Sequence, residues 1–313
     1  MRVVEVTAYG GPEVLSMARR PEPEAGEVPG KVRVRLKAAG VTMADLRIRK
    51  GLYADAIGAL RPPFVLGTDF AGRLLDPAGE LPAGTRVAGF VPWFAELTGE
   101  GTYAEVIRVD PEWLAPVPAD VDFTAAASVP LGAVTARQGL EKLDLPPGAT
   151  LLVTGASGVV GRFAVQLAAA AGLRVVGVSY EGDENELKVL GAEHVVPRGE
   201  PAKVLADVLA HVPDGFDGVF DGALLGTPVL AALKDGGTFA ALAPDRTPTA
   251  ERRIEVHTVV GRPDAAALAG LLEQVAAREL ITRVADVMPL EEAAEAHKRA
   301  ESGHRPGRIV LMI

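Results

Sequence analysis

Hydrophobic and polar positions alternate with period two over short stretches of the first third of the chain, most clearly in Lys31-Val32-Arg33-Val34-Arg35-Leu36. That period puts apolar side chains on one face of a strand and polar ones on the other. Gly10-Gly11-Pro12 and Pro62-Pro63 interrupt the alternation where a turn needs a free or a fixed φ. Residues 1–121 are therefore predicted to form an irregular antiparallel β domain.

From residue 122 the texture changes. Leu151-Leu152-Val153-Thr154 and Val175-Val176-Gly177-Val178 are continuous apolar runs, too short for helices. Further strands are predicted over 193–196, 218–220, 238–242 and 254–260, with helices over 160–171, 184–190 and 202–210. Apolar strands alternating with helices mark a parallel sheet covered on both faces, so 122–280 reads as a doubly wound α/β domain. Pro263-Asp264 opens a helix whose Leu268, Leu271, Leu272 and Val275 recur at helical spacing. A last helix over 290–301 is closed by Gly303, and 308–312 reads as a final strand.

Composition narrows the partners. The 313 residues include 32 Lys and Arg against 41 Asp and Glu, a net charge of −9, and no basic run. A binder of phosphate backbones needs a concentrated basic face, so nucleic acid is not expected as a partner. No apolar run approaches the ~18 residues of a membrane span, and the N-terminus has no signal-peptide pattern. A cytoplasmic protein is expected. Cysteine is absent, which excludes disulfides, thiolate catalysis and Cys-containing zinc sites.

The strand 151–154 runs into Gly155-Ala156-Ser157-Gly158-Val159-Val160-Gly161 and then a helix. Strand, glycine turn and helix N-terminus together let backbone N–H groups approach a pyrophosphate with no Cβ in the way. Ala156 to Gly161 are thus candidate dinucleotide-binding residues. The second strand ends at Ser179, where an NAD site usually carries an acidic residue for the ribose 2′-hydroxyl. Ser179 leaves room for a 2′-phosphate, and Arg198 beyond the third strand adds positive charge. Glu181 and Asp183 oppose it, and Ser179 is equally a candidate cap or turn residue. NADPH is favoured, with NADH not excluded.

Several stretches resemble the zinc-independent medium-chain dehydrogenase/reductase superfamily, and within it the NADPH:quinone oxidoreductase group. They are Ala38 to Asp45, Arg49 to Tyr53, Leu66 to Gly72, Thr102 to Val106, Ala125 to Leu140, Gly155 to Gly161 and Ser302 to Leu311. The resemblance spans essentially the whole chain. It implies a Rossmann domain plus a GroES-like β domain that the C-terminal tail, 281–313, completes. It also implies a homodimer, paired through the region of strand 254–260. Zinc-dependent relatives would carry their ligands at Thr42, Thr68 and Leu131, and none of these side chains binds zinc well. The five histidines, at 194, 211, 257, 297 and 304, show no ligand spacing and read as surface or capping residues.

The resemblance further implies a substrate site in the first domain, with Tyr53, Thr42, Asp45 and Thr68 as candidates. A structural reading stands beside each: a loop tyrosine at 53, a hydrogen-bonding Asp45, a turn-holding Thr68. Thr135 would meet the nicotinamide portion, unless it is a helix residue facing solvent. Gly222, Ala223, Leu242 and Ala243 would line the nicotinamide at the strand ends, with Val260 and Arg262 approaching its other face. Trp93 and Phe94 would stack on a quinone or belong to the core. The activity so implied is metal-free hydride transfer from NADPH to a quinone or an α,β-unsaturated carbonyl, where a hydrogen bond to the carbonyl oxygen supports the developing charge. Reduction of a 2-enoyl thioester is the alternative within enzymes, and an NADPH-binding sensor or scaffold the alternative outside them.

Overall fold

The computed structural model describes residues 1–54, 60–93, 99–302 and 306–313. The chain divides into two compact units, Met1–Leu131 with Arg262–Ile313, and Gly132–Gly261. The expected boundaries at 121/122 and 280/281 move because of packing. Helix Phe123–Ala127 lies on strands Val32–Gly40 and Asp69–Leu74, and helix Ala265–Ala276 packs on strand Ala115–Pro116. Both helices therefore belong with the first unit.

The second unit is a six-stranded sheet, parallel throughout. Across it run His194–Pro197, Arg174–Ser179, Thr150–Thr154, Phe216–Asp221, Leu233–Ala241 and Glu255–Thr258. Strand order reverses on either side of Thr150–Thr154, the place where doubly wound sheets open a crevice at the carboxyl ends of their strands. Leu151, Val153, Val175, Val219, Phe220 and Phe239 are fully buried, the result of covering both faces of a parallel sheet.

Among the described residues the first unit holds two sheets. Leu15–Arg19, Arg2–Val6 and Phe64–Val65 form the smaller one. In the larger, Val32–Gly40 pairs antiparallel with Asp69–Leu74, with Val106–Val109 and with Arg308–Met312. The alternation read at Val32–Leu36 appears as alternately buried and half-exposed residues. Arg308–Met312 sits between Val32–Gly40 and Val284–Pro289, so the tail does complete the first unit's sheet. Helix Ala265–Ala276 starts where the pattern placed it, with the Asp264 carboxylate accepting from Ala267 N at 2.9 Å. The 290–301 segment is a 3-10 turn, Leu290–Glu292, followed by helix Ala293–Glu301. Gly303 and His304 lie outside the described residues.

Candidate functional site

In the second unit, Gly155 takes φ +62°, and a Cβ there would stand 2.9 Å from Ala223 N. At Gly161 a Cβ would stand 2.2 Å from Gly155 O. These glycines let the turn fold tightly onto helix Val159–Ala170, whose N-cap Gly158 has no side-chain cap. A helix start left uncapped in this way offers N–H groups to an anion. The turn's fit to a pyrophosphate is thus a property of this backbone.

The other candidates of this unit gather at the same ends of the parallel strands. Ser157 Oγ accepts from Tyr180 N at 3.1 Å, tying the turn to the end of Arg174–Ser179. Buried Asp221 accepts from Thr154 Oγ1 at 2.5 Å and from Gly226 N at 2.8 Å, and Thr154 Oγ1 in turn accepts from Ala223 N at 3.1 Å. This network shapes the segment carrying Gly222 and Ala223. Leu242 and Ala243 follow strand Leu233–Ala241, and Val260 follows Glu255–Thr258. Thr135 is buried on its helix, which removes the solvent-facing alternative. Arg262 is exposed and falls in the first unit.

Ser179 is 2% exposed and donates its hydroxyl proton to Tyr180 O at 3.0 Å. Beside it, Arg198 N donates to Ser179 O at 2.6 Å, and the exposed Arg198 guanidinium lies 4.6 Å above the Tyr180 ring. Tyr180 is the residue that sequence reasoning passed over. Its signal was an aromatic side chain directly after the second strand, in front of an arginine.

In the first unit, Thr42, Asp45 and Thr68 come together in the interior, each at most 2% exposed. Thr42 caps helix Met43–Arg49 in a reciprocal box. Asp45 N donates to Thr42 Oγ1 at 3.1 Å, while Asp45 Oδ2 accepts from Thr42 N at 2.7 Å and Thr42 Oγ1 at 2.9 Å. Thr68 Oγ1 donates to Asp45 Oδ1 at 2.6 Å. Burial raises the Asp45 carboxyl to about 6 in spite of these donors. Both threonine hydroxyl protons point at Asp45, so each hydroxyl turns lone pairs, not a proton, to anything else. Tyr53 stands apart and half-buried, with the Arg47 guanidinium 5.0 Å above its ring.

At the three positions where relatives would hold zinc, Thr42 and Thr68 bond Asp45 and Leu131 offers only its backbone, donating N–H to Asp69 at 2.8 Å. This donor set does not fit zinc. Asp69 also lies 3.0 Å from Arg308 Nη2, and burial outweighs that cation, raising the carboxyl to about 7. Trp93 belongs to the core: it is 2% exposed, packs edge-on against Phe64 and donates to Gly67 O at 3.1 Å. Phe94 lies outside the described residues.

His297 corrects the reading of the histidines as surface or capping residues. It is fully buried, between Arg49 Nη1 at 3.1 Å and the Tyr103 hydroxyl at 2.9 Å. Burial, with Arg49 beside it, lowers its pKa to about 3. Its apolar neighbours on helix Ala293–Glu301, Ala293 and Ala296, were the available sign that it faces inward.

A doubly wound unit with a glycine turn, in one chain with an antiparallel β unit that its last strand completes, is the build of a nucleotide-dependent oxidoreductase. Residues 28–119 match the family model described as alcohol dehydrogenase GroES-like domain, and 190–311 match that described as zinc-binding dehydrogenase. The chain belongs to the medium-chain dehydrogenase/reductase superfamily of NAD(P)H-dependent oxidoreductases, in its quinone oxidoreductase-like group. It is 25% identical over 336 residues to a mouse quinone oxidoreductase, covering 100% of this chain and 98% of the other. A solved structure titled NAD-dependent alcohol dehydrogenase superposes with TM-score 0.86 at 32% identity, over 100% of both chains. A tomato 2-methylene-furan-3-one reductase is 30% identical over 257 residues, 79% of this chain and 63% of that one. A Streptomyces venezuelae polyketide synthase component, PikAII, is 35% identical over 190 residues, 59% of this chain and 4% of its own length. The chain thus spans less than two thirds of these last two relatives.

Proposed function

We propose that the protein is a metal-free, NADPH-dependent reductase of quinones or α,β-unsaturated carbonyls. The observation that carries this reading is the glycine turn, whose Gly155 and Gly161 leave room for no side chain, in a chain whose zinc-ligand positions are two threonines and a leucine. Bound dihydronicotinamide supplies a hydride to the acceptor. The turn and the helix start at Val159 hold the pyrophosphate, and Arg198, stacked on Tyr180, meets the 2′-phosphate. Ser179 shapes that corner more than it donates, because its proton is taken by Tyr180 O.

On the acceptor side, Tyr53 is the phenol we assign as donor to a carbonyl oxygen, as the Thr42 and Thr68 protons are committed to Asp45. The one proton that completes the reduction would come from water, directly or through Tyr53 that water re-protonates, and would go to the hydroquinone oxygen or, for an enolate, to the carbon next to the carbonyl. The likeness to a polyketide synthase component favours a second reading, reduction of an enoyl thioester. Pairing through the exposed edge strand Glu255–Thr258 would make the molecule a dimer.

The test is NADPH and NADH consumption, side by side, with 1,4-benzoquinone, 9,10-phenanthrenequinone and crotonyl-CoA. Quinone turnover favouring NADPH is the expected result, and turnover confined to crotonyl-CoA would establish the second reading. Silence with all three, with tight NADPH binding, would leave a sensor or scaffold. Arg198→Ala is expected to cut the preference for NADPH over NADH about tenfold, the worth of one exposed charge on a phosphate.

A further inference from the structure

Helix Met43–Arg49 is held at both ends by one buried circuit of hydrogen bonds. From Asp45 Oδ2 the circuit passes to the Tyr103 hydroxyl at 3.4 Å, from Tyr103 to His297 Nε2 at 2.9 Å, and from His297 Nδ1 to Arg49 Nη1 at 3.1 Å. Asp45 and Arg49 are four residues apart on the helix, so the helix itself closes the ring. Asp45, Arg49, Tyr103 and His297 are each 0% exposed. Gly67 makes room for this packing: a Cβ there would stand 2.5 Å from Tyr103 Cδ1.

The direction of each bond follows from chemistry. Arg49 only donates, so His297 Nδ1 accepts and its proton sits on Nε2. Nε2–H donates to the Tyr103 oxygen, and the Tyr103 proton is left for Asp45. Outside the ring, Arg49 pairs with Glu301, which also holds Lys50 Nζ at 3.0 Å, and Arg49 Nε donates to Gly10 O at 3.1 Å. A permanently charged arginine blocks one end of this string, so it cannot pass a proton through to solvent. It can only fix positions.

What it fixes is the segment that leads to Tyr53. Met43, at the start of the helix, and Leu52, after it, are 65% and 61% exposed, and Arg47 covers the Tyr53 ring. The helix thus buries Asp45 and Arg49 beside Leu46 and Ile48, while Met43 and, just after the helix, Leu52 are exposed and Tyr53 is half-buried under Arg47. We propose that Tyr103, His297 and Arg49 are positioning residues that brace this helix and thereby set where Met43, Leu52 and Tyr53 meet the acceptor. The acceptor role of that face rests on the proposed function; the brace does not.

The test pairs steady-state kinetics with amide hydrogen exchange on Tyr103→Phe, which removes one oxygen and keeps the ring, and on the milder Glu301→Gln at the circuit's outer end. In both variants residues 43–52 should exchange faster, by about tenfold in Tyr103→Phe, while residues 159–170 stay unchanged. The acceptor KM should rise about fivefold or more, with NADPH affinity unchanged and kcat within about twofold. Unchanged exchange over 43–52 in both variants overturns the brace. Faster exchange with an unchanged acceptor KM overturns its role in positioning. A wild-type protein that oxidises neither NADPH nor NADH with any acceptor sinks the proposed function, and the exchange arm still decides the brace.

Discussion

His297 is where a single residue's chemistry speaks most directly to stability. It is buried neutral with a pKa near 3, against an ordinary value of 6.5. A histidine whose folded pKa is depressed contributes stability that is fully present above about pH 6.5 and lost as pH falls toward 3. The shift corresponds to a contribution on the order of 5 kcal/mol. His297→Gln should therefore destabilise the protein most at pH 7–8, and the gap in Tm between variant and wild type should shrink steadily toward pH 4. A gap that stays constant across that range would show that His297 is not held neutral. Asp45 and Asp69 run the other way. Their raised pKa values favour the folded state at low pH and cost stability as pH rises through about 6 and 7.

Gly161 is the second residue-scale case. With 2.2 Å between its would-be Cβ and Gly155 O, Gly161→Val must push the turn away from the helix. NADPH affinity, read by fluorescence titration, should fall at least about tenfold, ~1.4 kcal/mol. The glycine turn was legible in the sequence because glycine spacing encodes backbone shape directly. The inward orientation of His297 was not, because it depends on Arg49 and Tyr103, which lie 248 and 194 residues away in the chain.

At the scale of elements, the parallel strands and their helices were readable within a few residues because burial on both faces leaves continuous apolar runs. Helix Ala265–Ala276 was equally plain from its period and from Asp264. Replacing Asp264 with Ala should cost about 1 kcal/mol, the usual worth of an N-cap, seen as a lower midpoint in urea. Helix Met43–Arg49 was the harder element. Only seven residues long, it is too short to hold itself together in water, and its stability comes from the capping box and from bonds to distant residues. Its sequence showed candidate chemistry at Thr42 and Asp45, and the structure adds that both are occupied with the helix and with Thr68. Among the described residues, no helix is long and apolar enough to cross a membrane.

At the scale of the whole molecule, the edge strand Glu255–Thr258 pairs, among the described residues, with Leu233–Ala241 alone. An exposed edge is a template for pairing with a second copy. Sedimentation equilibrium should give twice the chain mass, and a monomer at all micromolar concentrations would reject the paired edge. The domain boundaries were the least legible large feature, because periodicity marks strands and helices but not which unit a connecting helix packs on.

Gly40 pairs with Val310, about 270 residues later in the chain. During synthesis, strand Val32–Gly40 emerges early and must wait for a partner made only after the entire nucleotide-binding unit. The ribosome therefore delivers a finished second unit while the first still has a gap beside Ala38–Gly40. Such an unfilled edge invites the wrong strand from a neighbouring nascent chain. The order of synthesis therefore leaves the first unit with an open edge until its closing strand is made.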